Sequence, residues 1–327
     1  MLGASGIGRF HVRELARAGA ELVAILGSSE ASARRTAERL GQEYGVRPAA
    51  HHELRSILEL ELDAISVCTP SELHLEALTA ALDAGCFVLA EKPLFWQPGL
   101  TLEQTRAHLA ELERLGAAQR LALNVGNDLF LEQALLAQGP APQPSRFDFR
   151  FHTQGPHRAA AIAVDLLPHA LSLLLRLAPE GEPREVCWEL GENALDCRFE
   201  WGPLHCHFDL REDPQGPKEL SFALDGKRWQ RRQLEAAGRY QVHLEAADGV
   251  LSPALPDPLG VVVQDFVRGA ETGASFRTGF ERASRLQLLM LQLLTSLECE
   301  SDAACPTGAS RRPGPRPAGR SPRSPRS

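Results

Sequence analysis

The first 126 residues alternate between two hydrophobic patterns. Short aliphatic runs, ELVAIL (21–26), DAISVC (63–68), CFVLA (86–90) and RLALNV (120–125), are too brief for helices and read as strands buried on both faces. Between them, residues 9–19 and the stretches SEASARRTAERLGQEYG, SELHLEALTAALDAG and TLEQTRAHLAELERLG carry apolar residues at helical spacing. Gly45 and Gly85 are the expected helix stops and Ser71 an expected N-cap. Strands alternating with helices of this length predict βαβ crossovers, and so a parallel sheet with helices on both faces.

The rhythm changes after about residue 127. One further helix is expected at DLLPHALSLLLRLA. Five segments of partial alternation follow, REVCWEL, ALDCRFEW, LHCHFDL, KELSFAL and YQVHLEA, with turn residues between them. A final amphipathic helix, GFERASRLQLLMLQLLTSL, ends the pattern. The predicted organisation is an α/β, Rossmann-type dinucleotide-binding domain over 1–126 and an α+β domain with a mostly antiparallel sheet over 127–303. A basic tail over 304–327, rich in Pro, Arg and Ser, is too poor in apolar residues to fold.

Composition narrows the classes. The chain has 327 residues, is 43% hydrophobic and 24% charged, and carries a net charge of −7, which argues against a nucleic-acid binder. No uninterrupted apolar run reaches the ~18 residues of a membrane span, and no secretory signal pattern is visible. Seven scattered cysteines without a C-x-x-C fit reduced thiols in the cytoplasm better than a disulfide framework or a zinc site.

The turn before the first helix, GASGIG, follows the G-x-G-x-x-G pattern of dinucleotide loops with Gly3 and Gly8 at the outer positions and Ser5 at the middle one. Gly6 and Ile7 complete a loop whose backbone N–H groups would face a pyrophosphate at the helix N-terminus. Such a loop normally follows a buried strand, and only Met1 and Leu2 precede it. Removing roughly four aliphatic residues from a central strand would cost on the order of 6–12 kcal/mol, comparable to a domain's stability of about 5–15 kcal/mol. The first strand is therefore expected to be truncated and the natural chain to start upstream. At the end of the next strand, where NAD sites place Asp or Glu, the chain reads LGSSEASARR. Ser28, Ser29 and Arg34 there favour a 2′-phosphate, hence NADP over NAD; in the alternative reading a serine caps the helix and the arginines are solvated.

One stretch is more specific. DAISVCTPSELHLEALTAALDAGCFVLAEKPL carries Thr69-Pro70, His74, Ala84-Gly85 and Glu91-Lys92-Pro93. It resembles the glucose-fructose oxidoreductase/inositol dehydrogenase/rhizopine catabolism (Gfo/Idh/MocA) family over most of residues 3–303. Glu91 and Lys92 end a strand, where open α/β sheets bind ligands. Only three of the 35 basic residues are lysines, so a lysine at 92 points to a need for a compact ammonium. Asp165 and His169, in VDLLPHAL, share a helical face at i, i+4.

The resemblance implies a catalytic set of Lys92, Asp165 and His169, with Lys92 polarising a substrate oxygen, His169 moving its proton and Asp165 supporting both. It further implies a nicotinamide site including Thr69, Pro70, His74, Glu91 and Lys92, a small-molecule substrate such as a sugar or cyclitol, no metal, and a homodimer or homotetramer formed through the second-domain sheet. A non-catalytic dinucleotide-binding regulator and a C=N or C=C reductase are the alternatives. Three departures border the expected pocket: RAAAIAVD lacks glycines ahead of Asp165, Ser172 stands where an Asp often follows, and NVGNDLF replaces a stretch that often carries Arg-Phe. His152, His157 and Trp96 are further residues that could face the cleft.

Overall fold

The computed structural model describes residues 1–139, 142–236 and 239–302; the expected tail at 304–327 lies outside them. Five short strands, β1 (Ala24–Leu26), β2 (Ala49–His51), β3 (Ala64–Val67), β4 (Phe87–Glu91) and β5 (Leu121–Asn124), are parallel where they pair. Residues 1–3 join the β1–β2 and β3–β5 groups into one layer. Leu2 bridges Leu26 on one side and Val67 on the other, giving the order β2-β1-Leu2-β3-β4-β5. The Leu2 N–H donates to the Ser66 carbonyl at 2.8 Å, the Leu2 carbonyl accepts from Cys68 at 2.8 Å, and Leu26 N–H donates to the Met1 carbonyl at 2.8 Å. The position expected for the first strand is thus occupied by these residues, with Leu2 fully buried.

Helices cover this sheet: α1 (Gly8–Arg17), α2 (Glu30–Tyr44), α3 (Leu54–Leu58), α4 (His74–Asp83), α5 (Leu102–Arg114) and α6 (Ala117–Arg120). Gly45 closes α2 in the left-handed conformation, φ 73°, where a Cβ would be strained. Ser71 does not cap α4: residues Ser71–Leu73 form a 3-10 turn, and α4 starts at His74 without a side-chain cap. A capping box at Thr101 and Gln104 starts α5.

After α7 (Asp128–Gln138), the second layer system is a seven-stranded sheet. Its strands are β6 (Arg146–Thr153), β7 (Pro183–Leu190), β8 (Ala194–Trp201), β9 (Leu204–Glu212), β10 (Glu219–Leu224), β11 (Lys227–Ala236) and β12 (Arg239–Ala246), in the order β12-β11-β10-β6-β9-β8-β7. All pairs are antiparallel except β6 with β9. The alternation in RFDFRFHT buries Phe147, Phe149 and Phe151 and turns Asp148 and Arg150 to the opposite, charged face.

Helix α8 (Ala160–Leu177) lies on the apolar face, backed by α10 (Phe280–Asp302). It is the one described helix long and apolar enough to cross a membrane, and it is instead a core helix, with 61% of its length buried. Helix α9 (Pro258–Thr272), not foreseen from the sequence, returns to the first sheet. Its Val262, Val263 and Phe266 pack on Leu89 of β4 and Ala122 of β5. Residues late in the chain therefore pack against the first sheet.

Candidate active site

The glycine loop stands at the carboxyl end of the parallel sheet, between Leu2 and α1. Its shape requires glycine at two places. Gly3 has φ +77°, and a Cβ there would lie 2.5 Å from the Cys68 carbonyl oxygen; one on Gly8 would lie 1.9 Å from the Gly3 carbonyl oxygen. Ser5, Gly6 and Ile7 are exposed at the N-terminus of α1, the arrangement suited to an anion.

Beside it, Thr69 lines a cleft of about 520 Å³ together with Ile7, Glu91, Lys92, Asp165 and His169. Its Oγ1 is buried and has no hydrogen-bond partner among the described residues. The sequence-expected residues of strands β3 and β4 and helix α8 are thus brought together. Ser28, Ser29 and Arg34 lie apart from this cleft wall. Ser29 caps α2 by accepting from the Ser32 N–H at 3.2 Å, and Arg34 pairs with Glu30 one turn earlier. Both are local roles of the kind the alternative sequence reading described.

His74 requires correction as a cofactor contact. It is 1% exposed, with Nε2 2.8 Å from the Thr69 carbonyl oxygen and Nδ1 2.9 Å from that of Pro93. Both ring nitrogens are spent on main chain, so His74 ties the Thr69-Pro70 turn to the Lys92-Pro93 turn from behind.

Glu91 is also held from beneath. Its Oε1 accepts from His11 Nε2 at 2.7 Å and from Asn124 Nδ2 at 2.6 Å, while Oε2 accepts from the Lys92 N–H at 3.2 Å. His11 Nδ1 lies 3.1 Å from Ser66 Oγ. Burial opposes charge on both partners. For His11, neighbouring Cys68 and Glu91 outweigh it and raise the ring to about 10. For Glu91, His11, Lys92 and Asn124 outweigh it and hold the carboxyl below its usual range. Sequence reading passed over His11, and its position in GRFHVREL carried no signal beyond a helical face.

Lys92 leaves the end of β4 and reaches α8. Its Nζ donates to the Asp165 carboxylate and, at 3.0 Å, to the Asp165 main-chain oxygen. Burial alone would raise the Asp165 carboxyl; Lys92 beside it holds it down near 2. Behind Asp165 stands Glu212, whose side chain is fully buried on β9 and whose carboxyl is raised by burial and by its hydrogen bond to Asp165. Glu212 accepts from the His157 N–H at 2.9 Å and packs so close to Gly155 that a Cβ there would come within 1.9 Å of Oε2. The sequence pattern of β9 did not mark Glu212 as anything but a strand end.

One turn beyond Asp165, burial and the Lys92 charge push His169 down to about 3, so its ring is neutral at ordinary pH. Its Nδ1 is 2.8 Å from Asn127 Nδ2, and its ring meets Phe151 edge-on at 5.0 Å. Among the other candidates, His152 turns to Asp209 at 3.0 Å on the charged face of the sheet. Trp96 and His157 line a second cavity, of about 440 Å³, that also includes Lys92 and Asp165.

Comparison with known proteins agrees with this architecture. Residues 1–122 match the model of the Gfo/Idh/MocA family, described as an oxidoreductase family with an NAD-binding Rossmann fold. The chain is 35% identical over 96 residues to D-glucoside 3-dehydrogenase of Escherichia coli (strain K12), covering 29% of this chain and 25% of that protein. It is 34% identical over 139 residues to 1,5-anhydro-D-fructose reductase of Ensifer adhaerens, covering 41% of this chain and 36% of that one. The aligned part thus spans between a quarter and somewhat over a third of these relatives. The whole fold is similar to that of UDP-N-acetylglucosamine 3-dehydrogenase GnnA from Acidithiobacillus ferrooxidans, with a TM-score of 0.70 at 18% identity over 91% of this chain and 96% of that one. It is similar in the same degree to levoglucosan dehydrogenase in complex with NADH and levoglucosan, with a TM-score of 0.70 at 14% identity over the same shares.

Proposed function

We propose that the protein is a nicotinamide-dependent oxidoreductase acting on a secondary alcohol or ketone of a sugar or related polar metabolite. The observation that carries this reading is the convergence of the glycine loop, Lys92, Asp165 and His169 on one cleft. The tight loop at Gly3 and Gly8, where a Cβ would strike main-chain atoms, presents the N-terminus of α1 as a site suited to a pyrophosphate, and the orphaned Thr69 Oγ1 offers a further polar contact. When bound, the nicotinamide supplies or accepts the hydride.

The chain's own groups do the rest. Lys92, as an ammonium, binds the reacting oxygen and stabilises charge that develops on it. Asp165 holds Lys92 in place and offsets its charge. His169, on the same helical face, is the second group aimed at that oxygen. Similarity to a glucoside dehydrogenase and an anhydrofructose reductase supports a carbohydrate substrate.

Of the two nucleotides, NADP is our choice. No carboxylate stands at the end of β1, where the chain reads Leu26-Gly27, and Ser28 and Arg34 are exposed beyond it. A fluorescence titration with NADPH and NADH tests both statements. Binding of both with NADPH tighter is expected; binding of neither would overturn the function, and tighter NADH would overturn the preference.

A further inference from the structure

The chemistry of His169 depends on a partner outside the expected catalytic set. A neutral imidazole carries one N–H and one lone pair, and which nitrogen has which is fixed by the bonds the ring makes. Here the ring stays neutral through the range in which proteins work, because it is buried beside the Lys92 ammonium. The tautomer is therefore the variable that matters.

We propose that Asn127 is a positioning residue that fixes His169 as the Nε2–H tautomer, making it a hydrogen-bond donor to the substrate oxygen rather than a base. The Asn127 amide nitrogen faces Nδ1 at 2.8 Å. An amide N–H can only donate, so Nδ1 must supply the lone pair and the ring proton sits on Nε2. Nε2 has no hydrogen bond to protein among the described residues, and the ring lines the cleft.

Several contacts hold the two residues in this relation. Asn127 is 8% exposed and immediately precedes α7, next to the fully buried Asp128. The Asp128 carboxylate pairs with Arg282 at 3.1 Å, and Arg282 in turn donates to the Ser172 main-chain oxygen on α8 at 2.8 Å. One arginine of α10 thereby clamps the start of α7 to the helix that carries His169. Phe151, edge-on at 5.0 Å and 87°, blocks rotation of the ring on another side.

The inference rests on the reading of this cleft as the reaction site, and it changes the division of labour there. A neutral imidazole with its proton on Nε2 cannot accept the hydroxyl proton at that nitrogen. It stabilises negative charge on the oxygen by donating; in ketone reduction the Lys92 ammonium gives its proton to that oxygen and becomes a neutral amine, and in alcohol oxidation the amine takes the hydroxyl proton and returns to the ammonium. The replacement of the Arg-Phe stretch by NVGNDLF acquires a meaning, since it supplies the amide.

The test is a long-range 1H–15N correlation spectrum of the full chain labelled with 15N-histidine at neutral pH, with His169 assigned by its loss in His169→Gln. The expected wild-type signature is a protonated Nε2 and an unprotonated Nδ1. In Asn127→Asp a carboxylate, which only accepts, should draw the proton to Nδ1, and in Asn127→Ala the two tautomers should mix. A wild-type ring protonated at Nδ1, or at both nitrogens, would overturn the proposal without recourse to any variant. So would an unchanged tautomer in a folded Asn127→Asp or Asn127→Ala protein. The readout needs no substrate. An Nε2–H ring in a protein that binds no nicotinamide would leave this inference standing and remove the functional reading.

Discussion

The Lys92 ammonium and the Asp165 carboxylate, 73 residues apart in sequence, form a direct ion pair that joins the end of a parallel strand to the helix lying on the second sheet. The same ammonium also takes the main-chain oxygen of Asp165 at 3.0 Å. The pair places a cation in the wall of the cleft and fixes where its N–H groups point. Arginine, the basic residue this chain mostly uses, has a planar fork in place of the compact ammonium. Lys92→Arg is therefore expected to be nearly as damaging as Lys92→Ala, and the ratio of their kcat values checks this.

The glycine loop makes a separate prediction. A Cβ on Gly8 would sit 1.9 Å from the Gly3 carbonyl oxygen, so Gly8→Ala must open the loop. Nucleotide affinity should fall at least about tenfold, equal to ~1.4 kcal/mol, and isothermal titration with the reduced nucleotide measures it. Gly6→Ala meets no atom within 4 Å but has φ +54°, so its effect should be backbone strain of about 1–3 kcal/mol.

The His11–Glu91 pair governs stability against pH. His11 is raised from 6.5 to about 10 on folding, so its contribution is fully present below about pH 6.5 and is lost as pH rises through 10. Glu91 is lowered from 4.5, so its contribution is present above that value and is lost on acidification. Thermal melts between pH 7 and pH 10 should show a falling Tm. His11→Gln should remove most of that alkaline slope and, by taking the charged partner from a buried carboxylate that keeps only its hydrogen bonds from Asn124 and the Lys92 N–H, destabilise the protein by up to about 3–5 kcal/mol.

Nucleotide preference is expected to depend on Arg34. Its guanidinium is bound to Glu30 and exposed, so it can exchange that carboxylate for a 2′-phosphate. Arg34→Ala should weaken NADPH several-fold and leave NADH nearly unchanged, whereas Glu30→Gln should strengthen NADPH. Parallel fluorescence titrations of the two variants decide it.

Much of this architecture was legible in the sequence because it is locally encoded. The aliphatic runs at 63–68, 86–90 and 120–125 became β3, β4 and β5, whereas β6 at 146–153 was not foreseen although its alternation buries one face. The placement of Lys92 at a strand end and of Asp165 and His169 on one helical face follows from local spacing, while their expected catalytic roles came from the resemblance of the surrounding motifs. What was missed depends on partners distant in the chain. His11 looks like any helical residue until β4 brings Glu91 beside it, and Glu212 looks like a strand end until α8 brings Asp165 to it. Helix α9 was not foreseen, and its companions on the first sheet are more than 130 residues earlier. His74 was misread because its motif suggested a ligand contact while its two nitrogens turn to main-chain oxygens.

In the proposed reaction Lys92 acts on the substrate in a cleft that holds the nicotinamide independently of it. The most direct measurement compares wild type and Lys92→Ala for turnover of a panel of D-glucosides and their keto derivatives at saturating nucleotide, with nucleotide affinity measured on the same two preparations. Turnover by wild type, reduced by about 10²–10³-fold or more in Lys92→Ala with nucleotide affinity changed by no more than about threefold, is predicted. Equal turnover by the two proteins, or none by wild type on any member of the panel, would contradict it.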